Sequence, residues 1–244
     1  MKFSLFLNTR QRLPLLTNLL RSIDATFSYT NEIEILLGVD DDDVETKNFL
    51  THLDFILGDI DLCSKISCYS TERPSNLHTK MNSLADQSSG DILFVLNDDV
   101  EFMSDNWDIL TISNLEKMTN AQDNIYYLAT KDTSVDKTTG KNYASFPMLT
   151  REAYTTLGYF MSEKFVGLGG DVHLWRIFDT VNRVIDNSEV VLDHVRHNTL
   201  EKVISPDRVA FQMRENTQLN YVDGWSVDIS QEVKKINAEI ASSL

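Results

Sequence analysis

The chain has 244 residues, 42% of them hydrophobic, which is enough to bury the core of one large α/β domain. Its formal net charge is -15, from 37 acidic and 22 basic side chains, so the composition lacks the basic face that nucleic-acid binding needs. Two cysteines, Cys63 and Cys68, are too few for the disulfide framework of a secreted protein; we expect them to be reduced, with a disulfide as the alternative.

The two ends of the chain carry no strong targeting signal. The start, MKFSLFLNTRQR, has one lysine and a short apolar run, too short for a signal peptide or a membrane span. We therefore expect a cytoplasmic protein without a transmembrane segment. The last predicted helix, residues 229–244, is partly amphipathic, and its mixed charge favours an ordinary surface helix over peripheral membrane attachment.

The first half of the chain alternates between apolar runs of strand length and segments with helical spacing. Pro14 stands where the first turn of a helix tolerates it. The predicted strands cover residues 3–7, 33–39, 65–69 and 92–96. The predicted helices are carried by Leu16, Leu19, Leu20, Ile23 and Phe27, by residues 44–57, and by Leu77, Met81, Leu84 and Ala85.

The second half continues the alternation with shorter elements. Helices are predicted around Trp107, Leu110 and Leu115 and over residues 151–157 and 171–184, and strands over residues 125–130, 145–149 and 188–192. Residues 131–142 are polar and predict a loop, which as an alternative is a mobile lid. Strands that alternate with helices at this rate predict βαβ units and a largely parallel sheet. No Pro/Gly/Ser-rich linker divides the chain, so we expect one domain.

Acidic residues follow two of the strands that the pattern predicts to be buried on both faces. Residues 92–96 are apolar without alternation and lead into Asn97, Asp98 and Asp99. Open α/β sheets bind ligands at this end of their strands. Neighbouring carboxylates repel each other unless a cation neutralises them, which predicts a divalent metal site; a solvated turn is the alternative.

The second strand ends in four consecutive aspartates, residues 40–43. Capping of the following helix explains one or two of them, which leaves Asp40 available to bind a ligand. Further on, the sequence VGLGGD places two glycines before Asp171 at the start of a predicted helix. Glycines there allow the backbone to approach a ligand closely, although Asp171 as a simple cap is the alternative. The strand over residues 188–192 then leads to His194 and His197.

These elements and motifs together resemble glycosyltransferase family 2, nucleotide-sugar transferases with the GT-A fold. The opening NTRQRLPLLTNLLRSI is similar to the family's Pro-Thr-x-Asn-Arg and leucine-rich helix, with Asn8 in place of the proline and Gln11 in place of the asparagine. The sequence ILLGVDDDD resembles the second strand with its terminal acid. Asn82 stands eight residues before Gly90, as in the segment that leads to the family's metal strand.

Two further motifs carry the resemblance. LNDDVEF is similar to the family's DxD motif in the variant that begins with asparagine. GGD resembles the Glu-Asp pair on the acceptor side, with Gly170 in place of the glutamate. The arginine on the following helix is displaced by one position, to Arg176.

The resemblance implies an α/β fold of the GT-A type, a Rossmann-like three-layer α/β/α sandwich around a mostly parallel mixed sheet. It implies one catalytic domain over residues 1–204, with a donor half at about 1–100 and an acceptor half at about 101–204. Residues 205–244 would form a C-terminal extension whose terminal helix packs on the same domain.

The resemblance also assigns roles to single residues. Asp99 would hold a divalent metal, Mn²⁺ or Mg²⁺, with His194, or alternatively His197, as a late ligand. Asp171 would be the general base. The donor, a UDP-, GDP- or dTDP-sugar, would be bound by Thr9, Arg12, Asp40 at the base or ribose, Asn82, and Asp98 at the sugar or ribose.

The chemistry of sugar transfer requires these residue types. A metal ion stabilises the leaving diphosphate as a Lewis acid, and a carboxylate removes the proton of the attacking hydroxyl. One base opposite the leaving group gives inversion, whereas retention by double displacement needs a second carboxylate. The sequence thus predicts a metal-dependent inverting glycosyltransferase of polysaccharide or glycan synthesis that transfers to a glycan or another hydroxyl acceptor.

Other functions fit the sequence less well. A catalytically impaired carbohydrate- or nucleotide-binding protein of the same fold is the alternative, supported by the missing first aspartate and the missing glutamate. Haloacid dehalogenase chemistry needs a nucleophilic aspartate where Asn97 stands, and a nucleotidyltransferase needs a glycine-rich basic phosphate loop that the amino terminus lacks. Trp107 and Trp175 are either core residues or walls of an acceptor site.

Overall fold

The computed structural model describes residues 1–58, 61–73, 76–118, 123–133, 144–165, 169–194 and 224–243. The described strands are β1 Lys2–Thr9, β2 Glu32–Asp40, β3 Ile66–Thr71, β4 Ile92–Asn97, β5 Val100–Phe102, β6 Tyr127–Asp132, β7 Met148–Thr150 and β8 Val184–His194. The described helices are α1 Leu13–Thr26, α2 Val44–Thr51, α3 Leu53–Leu57, α4 Leu77–Gln87, α5 Trp107–Met118, α6 Arg151–Leu157, α7 Gly170–Thr180 and α8 Ser230–Ser242, with a 3₁₀ helix over Asp61–Lys65.

The strands form one mixed sheet in the order β3-β2-β1-β4-β7-β6-β8-β5. Parallel pairing joins β3, β2, β1 and β4, and also β6 with β8. The pairs β4–β7, β6–β7 and β5–β8 are antiparallel. The strand order reverses at β1, which has β2 on one side and β4 on the other, so the carboxyl ends of β1 and β4 flank a topological switch point, where such sheets bind ligands.

Helices cover both faces of this sheet. Along β1, Phe3, Leu5 and Leu7 are fully buried and pack with α1 and α5 on one face, whereas Phe6 points to the other face and packs with α4, α6 and α7. This alternation follows from the period of two of a β-strand. The expected three-layer α/β/α arrangement around a mixed sheet is confirmed.

The predicted helix over residues 44–57 is two helices in the structure, with a break at His52. The carbonyl of Asn48 would accept the N–H of His52 in a continuous helix. Here it accepts from the Thr51 hydroxyl at 2.7 Å and lies 2.9 Å from Nδ1 of His52, while the His52 N–H donates to the carbonyl of Phe49. Side-chain competition for one backbone acceptor therefore ends α2.

Element boundaries differ from expectation in the second half of the chain. β6 extends to Asp132 and β8 begins at Val184, each beyond the predicted range, and α7 ends at Thr180 before Asn182 turns the chain with a φ of 55°. β6 and β8 also carry an irregularity: Ala129 pairs with Asp186, and the next pair is Lys131 with Val191.

The carboxyl-terminal helix α8 packs on the rest of the fold through Ile236, which is fully buried. No helix in the described ranges is both long and apolar enough to span a bilayer. Residues 195–223 lie outside the description, so the division at residue 204 stays a prediction.

Candidate active site

Asp98 and Asp99 follow β4 at the switch point. β4 is buried through Leu96, and its last residue, Asn97, pairs with Asn8 of β1. The two aspartates are each only 2% exposed. The hydroxyl of Thr9, at the end of β1, donates to Oδ2 of Asp98 at 2.9 Å. The structure therefore brings three predicted site residues, Thr9, Asp98 and Asp99, together at the carboxyl ends of the neighbouring strands β1 and β4.

A guanidinium neutralises both of these carboxylates. Arg12 donates through Nη1 to Oδ1 of Asp98 and through Nη2 to Oδ2 of Asp99, the second at 2.8 Å. The turn that carries Arg12 is held by the backbone N–H of Gln11, which donates to Oδ2 of Asp43 at 3.0 Å. Two adjacent buried carboxylates repel each other, and a forked cation between them removes that repulsion.

His194 reaches the same cluster from the end of β8. Its Nε2 lies 3.4 Å from Oδ1 of Asp99, and its Nδ1 lies 3.5 Å from Oδ2 of Asp132. The Phe146 ring and the imidazole pack edge to face, with centroids 5.1 Å apart. The sequence analysis missed Asp132, although it follows an apolar strand as Asp40 and Asp98 do; ending the predicted strand two residues early concealed this signal.

These contacts change the ionisation of both partners. Hydrogen bonding to Asp132 and then to Asp99 raises the pKa of His194 to about 9, against the opposing effect of burial. Burial by itself would raise the pKa of Asp99, but His194 and Arg12 outweigh it and hold that pKa well below its usual range. At neutral pH, a charged imidazole therefore faces an ionised carboxylate.

The donor set of this cluster fits a metal ion that shares its coordination with a substrate. Within the described ranges, no three His, Cys, Asp or Glu side chains are arranged to hold a metal by themselves. Asp99 and His194 nevertheless bring a carboxylate and an imidazole together, and such metals complete their shell with phosphate oxygens and water. Asp132 at Nδ1 would direct Nε2 of His194 toward that metal. His197, the alternative ligand, lies outside the described residues.

Asp40 ends β2 and is 7% exposed. Lys80 of α4 donates to its Oδ1 at 2.7 Å, and Arg10 donates to its Oδ2 at 3.3 Å. Arg73 approaches the same oxygen at 4.0 Å. The cations around Asp40 were not singled out in the sequence, because they come from three separate segments of the chain. They neutralise the Asp40 carboxylate at the end of β2.

Gly38 allows Lys80 to reach Asp40. A Cβ on Gly38 would lie 2.9 Å from Cε of Lys80 and 2.3 Å from Oδ1 of Asn8, both too close. The capping role expected among residues 40–43 falls to Asp43, whose Oδ1 accepts the N–H of Thr46 at 3.1 Å. Asp40 is thus not needed as the cap of α2.

Asn82 lies further along α4 and contacts backbone. Its Oδ1 accepts the N–H groups of Phe160 and Met161 at 3.0 and 2.9 Å, and its Nδ2 donates to the carbonyl of Met161 at 2.8 Å. These bonds attach α4 to the segment that leads toward α7. Direct binding of the donor by Asn82 stays a prediction.

Asp171 is the second residue of α7 and is partly buried. Burial raises the pKa of its carboxyl, and the N–H groups of Val172 and of Asp171 itself offset only part of this rise. A carboxylate with a raised pKa is a stronger base than a carboxylate with the ordinary pKa of an exposed aspartate. Arg176, on the same helix, donates through Nη1 to the carbonyls of Gly224 and Val227 at 2.8 and 2.9 Å. Arg176 therefore fixes backbone next to α7.

Helix α4 connects this part of the molecule with Asp40. His78, the second residue of α4, packs directly on Gly170, and Lys80, two residues later, contacts Asp40. Two residues of a helix are about 3 Å apart along its axis, so Asp40 and the start of α7 lie at the same end of α4.

The two tryptophans lie in different environments: Trp107 is fully buried in the core, and Trp175 packs edge to face on Trp225, which is 38% exposed.

Comparison with known proteins shows the fold. No family model matches the sequence, and no curated protein sequence is similar to it. Residues 1–349 of S. aureus TarS have a TM-score of 0.60 and 13% identity over 99% of this chain and 72% of TarS 1–349; the chain spans 43% of a longer TarS chain. The mannosyltransferase PcManGT of Pyrobaculum calidifontis, in complex with GDP-Man and Mn²⁺, has a TM-score of 0.61 and 13% identity over 98% of this chain and 74% of that one. The chain has the fold of GT-A glycosyltransferases, as predicted.

Proposed function

We propose that this protein is a metal-dependent, inverting glycosyltransferase that moves a sugar from a nucleoside diphosphate to a hydroxyl acceptor in polysaccharide or glycan synthesis. The observation that carries the proposal is the meeting of Asp99 and His194, distant in sequence, at 3.4 Å beside the switch point of the sheet. Proteins of the same fold support it, since TarS is known in complex with UDP and with UDP-GlcNAc, and PcManGT with GDP-Man and Mn²⁺.

On the donor side, each described residue has a task. Asp40 accepts hydrogen bonds from the base or ribose, as the resemblance implies, and Lys80 holds its carboxylate in place at 2.7 Å. Thr9 and Arg12 orient Asp98 toward the ribose or sugar. Asp99 and His194 hold the divalent metal, which when bound supplies Lewis-acid stabilisation of the leaving diphosphate.

On the acceptor side, Asp171 takes the proton of the attacking hydroxyl. Its raised pKa brings its basicity closer to that needed at neutral pH than an ordinary aspartate would have. A single base that assists attack opposite the leaving group inverts the anomeric carbon. We propose a hexose or similar sugar as the transferred group and a glycan as the acceptor.

Donor binding is tested by thermal unfolding with Mn²⁺ and a panel of UDP, GDP and dTDP. We expect one nucleotide to raise the melting temperature only when Mn²⁺ is present, because a ligand that binds the native state alone stabilises it. Asp99→Asn should abolish this rise. Asp105→Asn, which removes the same charge from an exposed position, should retain it. An equal rise in Asp99→Asn would exclude Asp99 as the metal ligand.

Turnover is tested by nucleotide release from UDP-, GDP- and dTDP-sugars. Asp171→Asn should keep the metal-dependent rise in melting temperature and lose transfer by at least about 100-fold, since general-base catalysis contributes at least that much. Asp179→Asn, on an exposed position of the same helix, is the matched control and should retain transfer. Full transfer by Asp171→Asn would refute the role of Asp171 as the base.

The second candidate is a nucleotide- or carbohydrate-binding protein of the same fold without turnover. The observation that favours it is Arg12, which already neutralises Asp98 and Asp99. This candidate predicts a rise in melting temperature with nucleotide but no nucleotide release from any donor. The two assays together therefore separate it from the transferase.

A further inference from the structure

The space beside Gly170, just before the proposed base, is filled by the imidazole of His78. A Cβ built on Gly170 would lie 2.6 Å from Cε1 of His78, 3.2 Å from Nε2 and 3.3 Å from Nδ1. His78 is only 4% exposed. A side chain at position 170 and this ring therefore cannot occupy their places together, and the start of α7 rests directly on α4.

The ring is held where it is. Nδ1 of His78 lies 2.9 Å from the carbonyl oxygen of Ser162. A carbonyl only accepts, so Nδ1 carries a proton and donates it to this bond. The backbone N–H of His78 donates to Oδ1 of Asn76, the N-cap of α4, at 2.9 Å. The imidazole is thus not a flexible side chain that could yield to an added methyl group at Gly170.

His78 is the middle member of a row of polar residues that attaches α4 to the segment before α7. Asn76 donates through Nδ2 to the carbonyl of Glu163 at 3.0 Å, and Asn82 makes three bonds with the backbone of Phe160 and Met161. Within this row it is His78 whose ring reaches α7. A displacement of the ring would be transmitted to the helix that begins at Gly170.

We propose that His78 is a positioning residue for Asp171. Its imidazole fills the space that a side chain at position 170 would need, and it thereby fixes the distance between the α7 N-terminus and α4. The inference rests on the proposed function, since it assigns the proposed base its orientation. The same helix holds Asp40 through Lys80, so His78 fixes the acceptor side relative to the donor side. A misplacement of a catalytic group by about 1 Å can cost on the order of 100-fold in rate.

The test is a set of three variants, His78→Ala, Gly170→Ala and the double change, with His52→Ala as an exposed histidine control. We expect kcat for transfer to fall at least tenfold in each single variant. The donor KM should stay within twofold of wild type, and the Mn²⁺-dependent rise in melting temperature should equal that of wild type within error. The double variant should be more active than Gly170→Ala, because removal of the ring relieves the contact at 2.6 Å.

Each outcome decides the proposal. A kcat of His78→Ala within twofold of wild type, at a temperature where both are folded, overturns it, and so do strictly additive effects of the two changes. If His78→Ala does not fold, the same kcat criterion is applied to Gly170→Ala and to His78→Asn, which retains a donor for the Ser162 carbonyl. A kcat within twofold of wild type in these variants overturns the proposal. Wild-type protein without metal-dependent binding or nucleotide release overturns the proposed function itself, and this inference with it.

Discussion

The ion pairs of His194 predict a loss of stability when pH is raised on the metal-free protein. The pKa of His194 is about 9 in the folded chain and 6.5 in its ordinary environment, since Asp132 and Asp99 both favour the charged ring. The folded state therefore binds this proton more tightly than the unfolded state does. The resulting stabilisation is complete below pH 6.5 and is lost as the pH rises through about 9.

The size of the effect follows from the shift in pKa. At 1.36 kcal/mol for each tenfold change in proton affinity, it amounts to roughly 3 kcal/mol, a large part of the typical free energy of unfolding of about 5–15 kcal/mol. Urea unfolding in EDTA, at intervals from pH 6 to pH 10, gives the free energy of unfolding of wild type and of His194→Gln. The difference between them should shrink by roughly 3 kcal/mol over this range.

His52→Gln, the same change at an exposed position, serves as the control, and its difference from wild type should be the same at every pH. If the difference in free energy of unfolding between wild type and His194→Gln is constant from pH 6 to pH 10, then Asp132 and Asp99 do not stabilise the charged form of His194. Mn²⁺ binding needs the neutral imidazole, so the apparent affinity for Mn²⁺ should rise with pH over the same interval.

Buried charges elsewhere give further predictions. Lys80→Met leaves Asp40 without its nearest cation and should lower the free energy of unfolding in urea by about 3 kcal/mol; adding Asp40→Asn should restore part of it, and equal stability of the single variant would contradict the pairing. Arg183→Met should cost about 3 kcal/mol by the same measurement, since Arg183 donates at 2.8 Å to Asp123, whose side chain is 2% exposed. The double variant with Asp123→Asn should recover part of that loss, and strictly additive costs would show that the two residues do not interact.

The parallel half of the sheet could be predicted from sequence because its signal is local. Residues 33–39 and 92–96 are apolar without alternation, as strands buried on both faces must be, and each is followed by acid. The structure places Asp40 and Asp98 at the carboxyl edge, as this pattern indicates. The same edge then gathers Thr9 and Arg12, because the turn after β1 faces the turn after β4.

Contacts between distant segments could not be predicted in this way. The pairing of His194 with Asp132 depends on how β8 pairs with β6, and the packing of His78 against Gly170 joins residues of helices that lie far apart in the sequence. The sequence analysis also assigned Arg12 to the donor and did not place it between Asp98 and Asp99, where it donates to both carboxylates. A guanidinium that lies far from an acid in sequence leaves no pattern of its own.

The irregular pairing of β6 and β8 determines the position of the His194 imidazole. Between the pair Ala129–Asp186 and the pair Lys131–Val191, β6 has one intervening residue, whereas β8 has the four residues 187–190. Asn187, in this stretch of β8, donates through Nδ2 to the hydroxyl of Thr111 at 3.1 Å. Side chains alternate between the faces of a strand, so deletion of one residue between these pairs would turn His194 away from Asp99. An alteration of that kind shortens β8 itself, between two stretches that both pair with β6. The contact between His194 and Asp99 can thus be gained or lost by a change in chain length, without any substitution at either residue.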